Sequence, residues 1–79
     1  MENISEKRRK FAELGTNRVN KAINDIRLIG NLSNKANYDY NDDDVRQIIK
    51  ALREAINEAE NRFKKSQSKS RETGFRIRP

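Results

Sequence analysis

The chain lacks the residue types on which catalysis and covalent stabilisation most often depend. It has no cysteine, which excludes disulfide bonds and thiolate metal sites. It has no histidine, the commonest general base and the commonest metal ligand. It also has no glycine-rich phosphate loop and no metal-binding spacing. We therefore expect a protein that is not an enzyme, with no catalytic residue, no metal and no cofactor.

Apolar residues are also scarce. Hydrophobic residues make up 33% of the 79 residues and charged residues 38%, a balance close to that of disordered chains. The longest apolar runs are pairs such as Leu28-Ile29, so we expect no membrane span, no signal peptide and a cytoplasmic location. A chain this short builds at most one domain with a small core. Association with further copies or with a partner is the remaining route to stability.

The second half of the chain predicts an amphipathic helix over about 42–65. Its apolar residues follow a 4-3-4-3-4 spacing: Val45, Ile49, Leu52, Ile56, Ala59 and Phe63. Asn41 or Asp42 can cap the start, and the acidic run 42–44 and Lys64-Lys65 each suit the helix dipole. The apolar spacing, the cap residues and the charges at the two ends therefore predict the same helix.

The first half predicts helix over about 3–33, with one open question at Gly15-Thr16. Its repeat is Val19, Ala22, Ile26 and Ile29. Gly15 can end a short helix over about 3–14 while Thr16 caps a longer one, or a single helix can continue at a cost of about 1 kcal/mol for the glycine. Asn34 or Asn37 can end the helix in the left-handed conformation.

These elements predict an all-α protein in which residues 1–65 form an antiparallel helical hairpin, with or without the short N-terminal helix. Residues 66–79 are predicted to be a basic, flexible tail. One hairpin would leave much of its apolar surface in water, so we expect a homo-oligomeric helical bundle. The alternative is a compact three-helix monomer in which Ile4, Phe11 and Leu14 cover the apolar stripe.

Several polar positions are candidates for ligand binding. A hairpin would bring Arg8 and Arg9 to the basic end of the second helix, where phosphate binds readily, although such residues can also be solvated helix ends. A polar row follows one face of the first helix at 3-4-3-4-3 spacing: Asn17, Asn20, Asn24, Arg27, Asn31 and Asn34. Its amides and guanidinium can bind phosphates, bases or another polar helix, or the row can be a solvated face.

The connection and the C-terminus add further candidates. Tyr38 and Tyr40 can stack on a base, or pack back on the hairpin. Arg76 and Arg78 alternate with apolar residues, as in an extended segment that docks on a partner, or they belong to a disordered tail. The complete candidate set is Arg8, Arg9, Arg27, Asn31, Ser33, Asn34, Tyr38, Tyr40, Arg76 and Arg78.

The stretch Arg27-Leu28-Ile29-Gly30-Asn31-Leu32-Ser33-Asn34, with Asn37-Tyr38-Asp39-Tyr40 and Val45 after it, resembles small proteins of phages and other mobile elements. The resemblance covers about residues 17–63, implies a host-cell cytoplasmic location and carries no assigned chemistry. The predicted architecture, without any shared motif, is similar to phage proteins that sequester cyclic-nucleotide immune signals with oligomers of short helical hairpins.

The leading functional expectation is therefore a non-enzymatic oligomer that binds a small anionic nucleotide and counteracts host defence signalling. The net charge of +6 suits such a ligand. It also suits the first alternative, a small DNA- or RNA-binding regulator, although no recognition motif is present. The second alternative is a protein–protein inhibitor of a host enzyme.

Overall fold

The computed structural model describes the backbone of residues 5–74 and the side chains of residues 5–67. Within that part the chain forms two α-helices and no strand: α1, Glu6–Gly30, and α2, Asp42–Gly74, with a 3-10 turn at Asn31–Ser33. The all-α prediction is confirmed. Residues 1–39 and 40–79 form separate compact units. The antiparallel hairpin and the oligomeric bundle stay predictions.

The first helix is continuous through Gly15, so the alternative with a separate short N-terminal helix is wrong. No described glycine has a positive φ, and a Cβ at Gly15 would meet nothing within 4 Å. A break would expose unpaired N–H and C=O groups at two new helix ends. That cost exceeds the cost of about 1 kcal/mol for a glycine inside a helix.

The two ends of α1 are held by local hydrogen bonds. The Ser5 hydroxyl accepts the Arg8 backbone N–H at 3.0 Å and so caps the start. At the other end, Asn31 continues in the right-handed region and Asn34 is extended, at φ −72° and ψ 100°. No described residue has a positive φ, so the predicted left-handed ending at Asn34 or Asn37 is wrong. The Asn34 side chain instead accepts the Ala36 N–H at 3.0 Å, as in an Asx-turn.

The start of α2 is capped reciprocally, which confirms Asn41 as the choice between the two predicted caps. The Asn41 Oδ1 accepts the Asp44 N–H at 2.8 Å, and the Asp44 Oδ2 accepts the Asn41 N–H at 3.0 Å. The helix continues to Gly74 and so takes in residues 66–74 of the predicted flexible tail. No proline or glycine interrupts the chain between residues 42 and 73, so nothing in the backbone forces an earlier end.

The part of each helix for which side chains are described has no buried residue. Ile29 and Leu52 are partly exposed, and Ile56 and Phe63 are 59% and 56% exposed. None of the helices among the described residues is long and apolar enough to cross a membrane. The apolar stripes that the spacing predicts are therefore present on both helices and lie open to solvent.

Candidate binding surfaces

The candidate ligand residues of α1 lie in two groups at its opposite ends. Arg8 and Arg9 are in the first turns, and Arg27 is in the last turn. Because the helix is unbroken and rises about 1.5 Å per residue, the Arg8 and Arg27 backbones are separated by ~28 Å along its axis. A small ligand cannot contact both groups on one copy of α1.

The N-terminal group is already engaged within the chain. The Arg9 guanidinium donates two hydrogen bonds to the Glu6 carboxylate, at 2.7 and 2.8 Å. The Arg8 guanidinium lies 5.9 Å from the centre of the Phe11 ring, within range of a cation–π contact. Both bonds come from one guanidinium nitrogen, so a phosphate at Arg9 would share the guanidinium with a carboxylate whose negative charge repels it. This end is therefore the weaker of the two candidate anion sites.

The C-terminal group is better suited to a ligand. Arg27 stands in the last turn of α1, and Asn31 and Ser33 follow in the 3-10 turn. The Asn34 carbonyl accepts the N–H groups of both Asn37 and Tyr38 at 3.0 Å, which folds the connection back next to the turn. Tyr38 is 48% exposed. Residues of the first unit thus place a guanidinium, amides and an exposed phenol ring within a short stretch of chain.

The predicted polar row on α1 follows one face, because the helix is continuous between its members. At 100° per residue, Asn17, Asn20 and Asn24 point away from the apolar stripe of Val19 and Ile26, and Arg27 lies at the edge of the row nearest the stripe. All of these side chains are exposed. The row ends at Asn31 in the 3-10 turn, and Asn34 lies beyond the helix. The face is polar and accessible along its whole length.

The last three candidate residues lie outside both groups of α1. Tyr40 belongs to the second unit and is only partly exposed. Arg76 and Arg78 lie outside the described residues. The helix dipole also matters at Arg27, because the C-terminal end of α1 is its negative end and disfavours an anion. The Arg27 cation offsets that effect.

One basic stripe was missed in the sequence analysis. Arg46, Lys50 and Arg53 have i, i+4, i+7 spacing, which places them on one side of α2 next to Val45 and Ile49. These five side chains and the acidic Glu54 line one open groove along α2. Arg46 contacts the Asp43 carboxylate at 3.5 Å, and the stripe is exposed throughout. The signal is in the sequence: these basic residues repeat at helical spacing, as the apolar residues do.

Comparison with protein-family models, with curated proteins and with solved structures gives no match for this chain. The resemblance of residues 17–63 to phage and mobile-element proteins therefore stays a prediction.

Proposed function

We propose that this protein is a non-enzymatic binding protein that assembles with further copies of itself and holds a small anionic, nucleotide-like ligand. One observation carries the proposal: both helices present a regular apolar stripe, and none of the described side chains, residues 5–67, is buried. Neither helix has a core of its own among these residues, so each stripe needs another surface to cover it. We assign that role to further copies.

The free energy gained by burying the apolar stripes supports assembly with further copies. Isolated helices are marginal in water, since most helical stability in proteins comes from packing of an apolar face. Fully burying a side chain such as Ile56 or Phe63 contributes about 1.5–3 kcal/mol. The exposed ion pairs contribute little by comparison, about 0.2–0.5 kcal/mol each for pairs such as Glu60–Lys64 at 3.5 Å. Contacts within one helix therefore cannot replace burial of the stripe.

The ligand is assigned to the C-terminal end of α1. There the Arg27 guanidinium would bind a phosphate, the Asn31 and Asn34 amides would bind polar base edges, and Tyr38 would stack on the base. The Asn34 Oδ1 is occupied by the Ala36 N–H, which leaves its amide nitrogen as the donor. The net charge of +6 adds a general attraction for anions. For a phage-type protein this binding would sequester a host signal.

Isothermal titration against cyclic dinucleotides and ADP-ribose derivatives tests the ligand. We expect at least one to bind the wild-type protein, and the Arg27→Ala variant to lose that binding. The matched control is Arg18→Ala, which removes the same charge nine residues away on the opposite side of α1. Absence of heat with every compound at millimolar concentration would remove the nucleotide from the proposal.

The basic stripe on α2 favours a second candidate, a DNA- or RNA-binding regulator. Arg46, Lys50 and Arg53 are about 5–6 Å apart along the helix surface, a spacing that suits successive backbone phosphates. Fluorescence anisotropy with duplex and single-stranded oligonucleotides separates the two functions. A nucleic-acid function predicts binding that weakens steeply with salt and is lost in the Lys50→Ala/Arg53→Ala variant. Binding of a cyclic dinucleotide without oligonucleotide binding favours the first proposal.

A further inference from the structure

We infer that α2 pairs antiparallel with α2 of a second copy, in a register that places Leu52 of each copy beside Ile56 of the other. The inference rests on the proposed self-association and adds its partner surface, orientation and register. The surface is the seam of α2, defined as Val45, Ile49, Leu52, Ile56, Ala59 and Phe63. The seam has heptad spacing, as in helices that pack against one another along their length.

The distribution of charge along α2 determines the orientation. Three aspartates, Asp42, Asp43 and Asp44, occupy the first turn, and Lys64 and Lys65 follow the last apolar residue of the seam. A parallel pair would place the two acidic turns side by side and the two lysine pairs side by side. An antiparallel pair places each acidic turn beside the lysines of the other copy. Opposite charges then meet at both ends of the seam.

The sizes of the seam residues suit this register. When Leu52 lies beside Ile56 of the second copy, Ile49 lies beside Ala59 and Val45 beside Phe63. The outer layers then pair a larger side chain with a smaller one, and the central layers pair Leu52 with Ile56, which are of equal size. A parallel pair would instead place Phe63 opposite Phe63 and Ala59 opposite Ala59. That arrangement crowds one layer and leaves a void in the next.

The same register aligns charges along one flank of the seam. On that flank Arg46 comes within ~3 Å, measured along the axis, of Glu60 of the second copy. Asp44 and Lys64 project to opposite flanks of α2, and Asp43 and Lys65 project away from the seam. The two copies of Arg53 approach each other near the centre. Arg53 is exposed, so solvent and salt screen that repulsion, and the ends of the pair carry the larger number of opposite charges.

Cysteine cross-linking tests orientation and register directly, because the wild-type chain has no cysteine. Ala55 flanks the centre of the seam. In the antiparallel register the two copies of residue 55 lie on the same flank, offset by only ~3 Å along the axis. In a parallel pair they lie on opposite flanks. We expect the full-length Ala55→Cys variant to form a covalent dimer with a short thiol-reactive cross-linker.

Ala59→Cys is the matched control. In the antiparallel register the two copies of residue 59 are ~15 Å apart along the axis, whereas a parallel pair places them face to face. We expect no covalent dimer from this variant, and a dimer from it would overturn the inference. If sedimentation shows that both variants self-associate but neither forms a covalent dimer, the pairing of α2 with α2 is wrong. The proposed self-association is then unaffected. If the wild-type protein sediments as a monomer, the proposed function fails as well. Far-UV circular dichroism checks that both variants keep their helices.

Discussion

Asn41 has a larger effect on α2 than its exposed position indicates. Its side chain accepts the Asp44 N–H at 2.8 Å, and Asp44 returns the bond to the Asn41 N–H at 3.0 Å. These two bonds satisfy backbone N–H groups that have no carbonyl partner within the helix. Ser5 has the same role in α1 through one bond to Arg8. In a molecule whose described residues include no core, such local bonds form a large share of what holds each helix together.

The Asn41→Ala variant is expected to lower the free energy of unfolding by about 1 kcal/mol, because the Asp44 N–H loses its acceptor. Asn57→Ala is the control: it is the same substitution inside α2, where alanine is the better helix former, so it should stabilise slightly. Urea denaturation followed by circular dichroism, at one protein concentration, measures both. Equal effects from the two variants would show that Asn41 does not act as a cap.

At the scale of the element, α1 shows how little the free energies of a continuous helix and a broken helix can differ. Gly15-Thr16 has the residues of a helix end followed by a helix start, and the cost of continuing is only about 1 kcal/mol. The structure has a continuous helix, with open space where a Cβ would stand at Gly15. The helical members of the polar row and the apolar stripe therefore lie on one uninterrupted helix.

The Gly15→Ala variant separates the two alternatives by the sign of its effect. In a continuous helix alanine stabilises by about 0.5–1 kcal/mol, because glycine loses more backbone entropy on folding. In a broken helix with Gly15 left-handed, alanine would destabilise by a similar amount. The thermal midpoint and the helical signal in far-UV circular dichroism should both rise. The reverse substitution at a nearby position, Ala12→Gly, is the control and should lower both.

Local patterns predict the elements well and the assembly poorly. The seam of α2 and its cap at Asn41 are readable because they depend only on neighbours three or four residues apart. The extension of α2 to Gly74 has no apolar periodicity, so no signal marks it. The Arg27–Tyr38 grouping is visible in the sequence, but a ligand is not, since local spacing does not describe the surfaces that would surround one.

At the scale of the whole molecule, the proposed assembly makes stability and binding depend on the same event. The stripes of α1 and α2 are exposed, and in the proposed assembly another copy covers them and encloses the sites at Arg27 and along the seam. We therefore expect the helices to be more stable at high protein concentration, because association is linked to folding by mass action. A fold complete in one chain would have no such dependence.

Sedimentation equilibrium of the full-length wild-type chain, over a wide range of concentrations, tests this account most directly. We expect a dimer or larger assembly that dissociates on dilution, and a shift towards monomer in the Ile56→Asp variant, which places a charge in the seam. A wild-type protein that stays monomeric at every concentration while its helical signal remains complete would contradict the account.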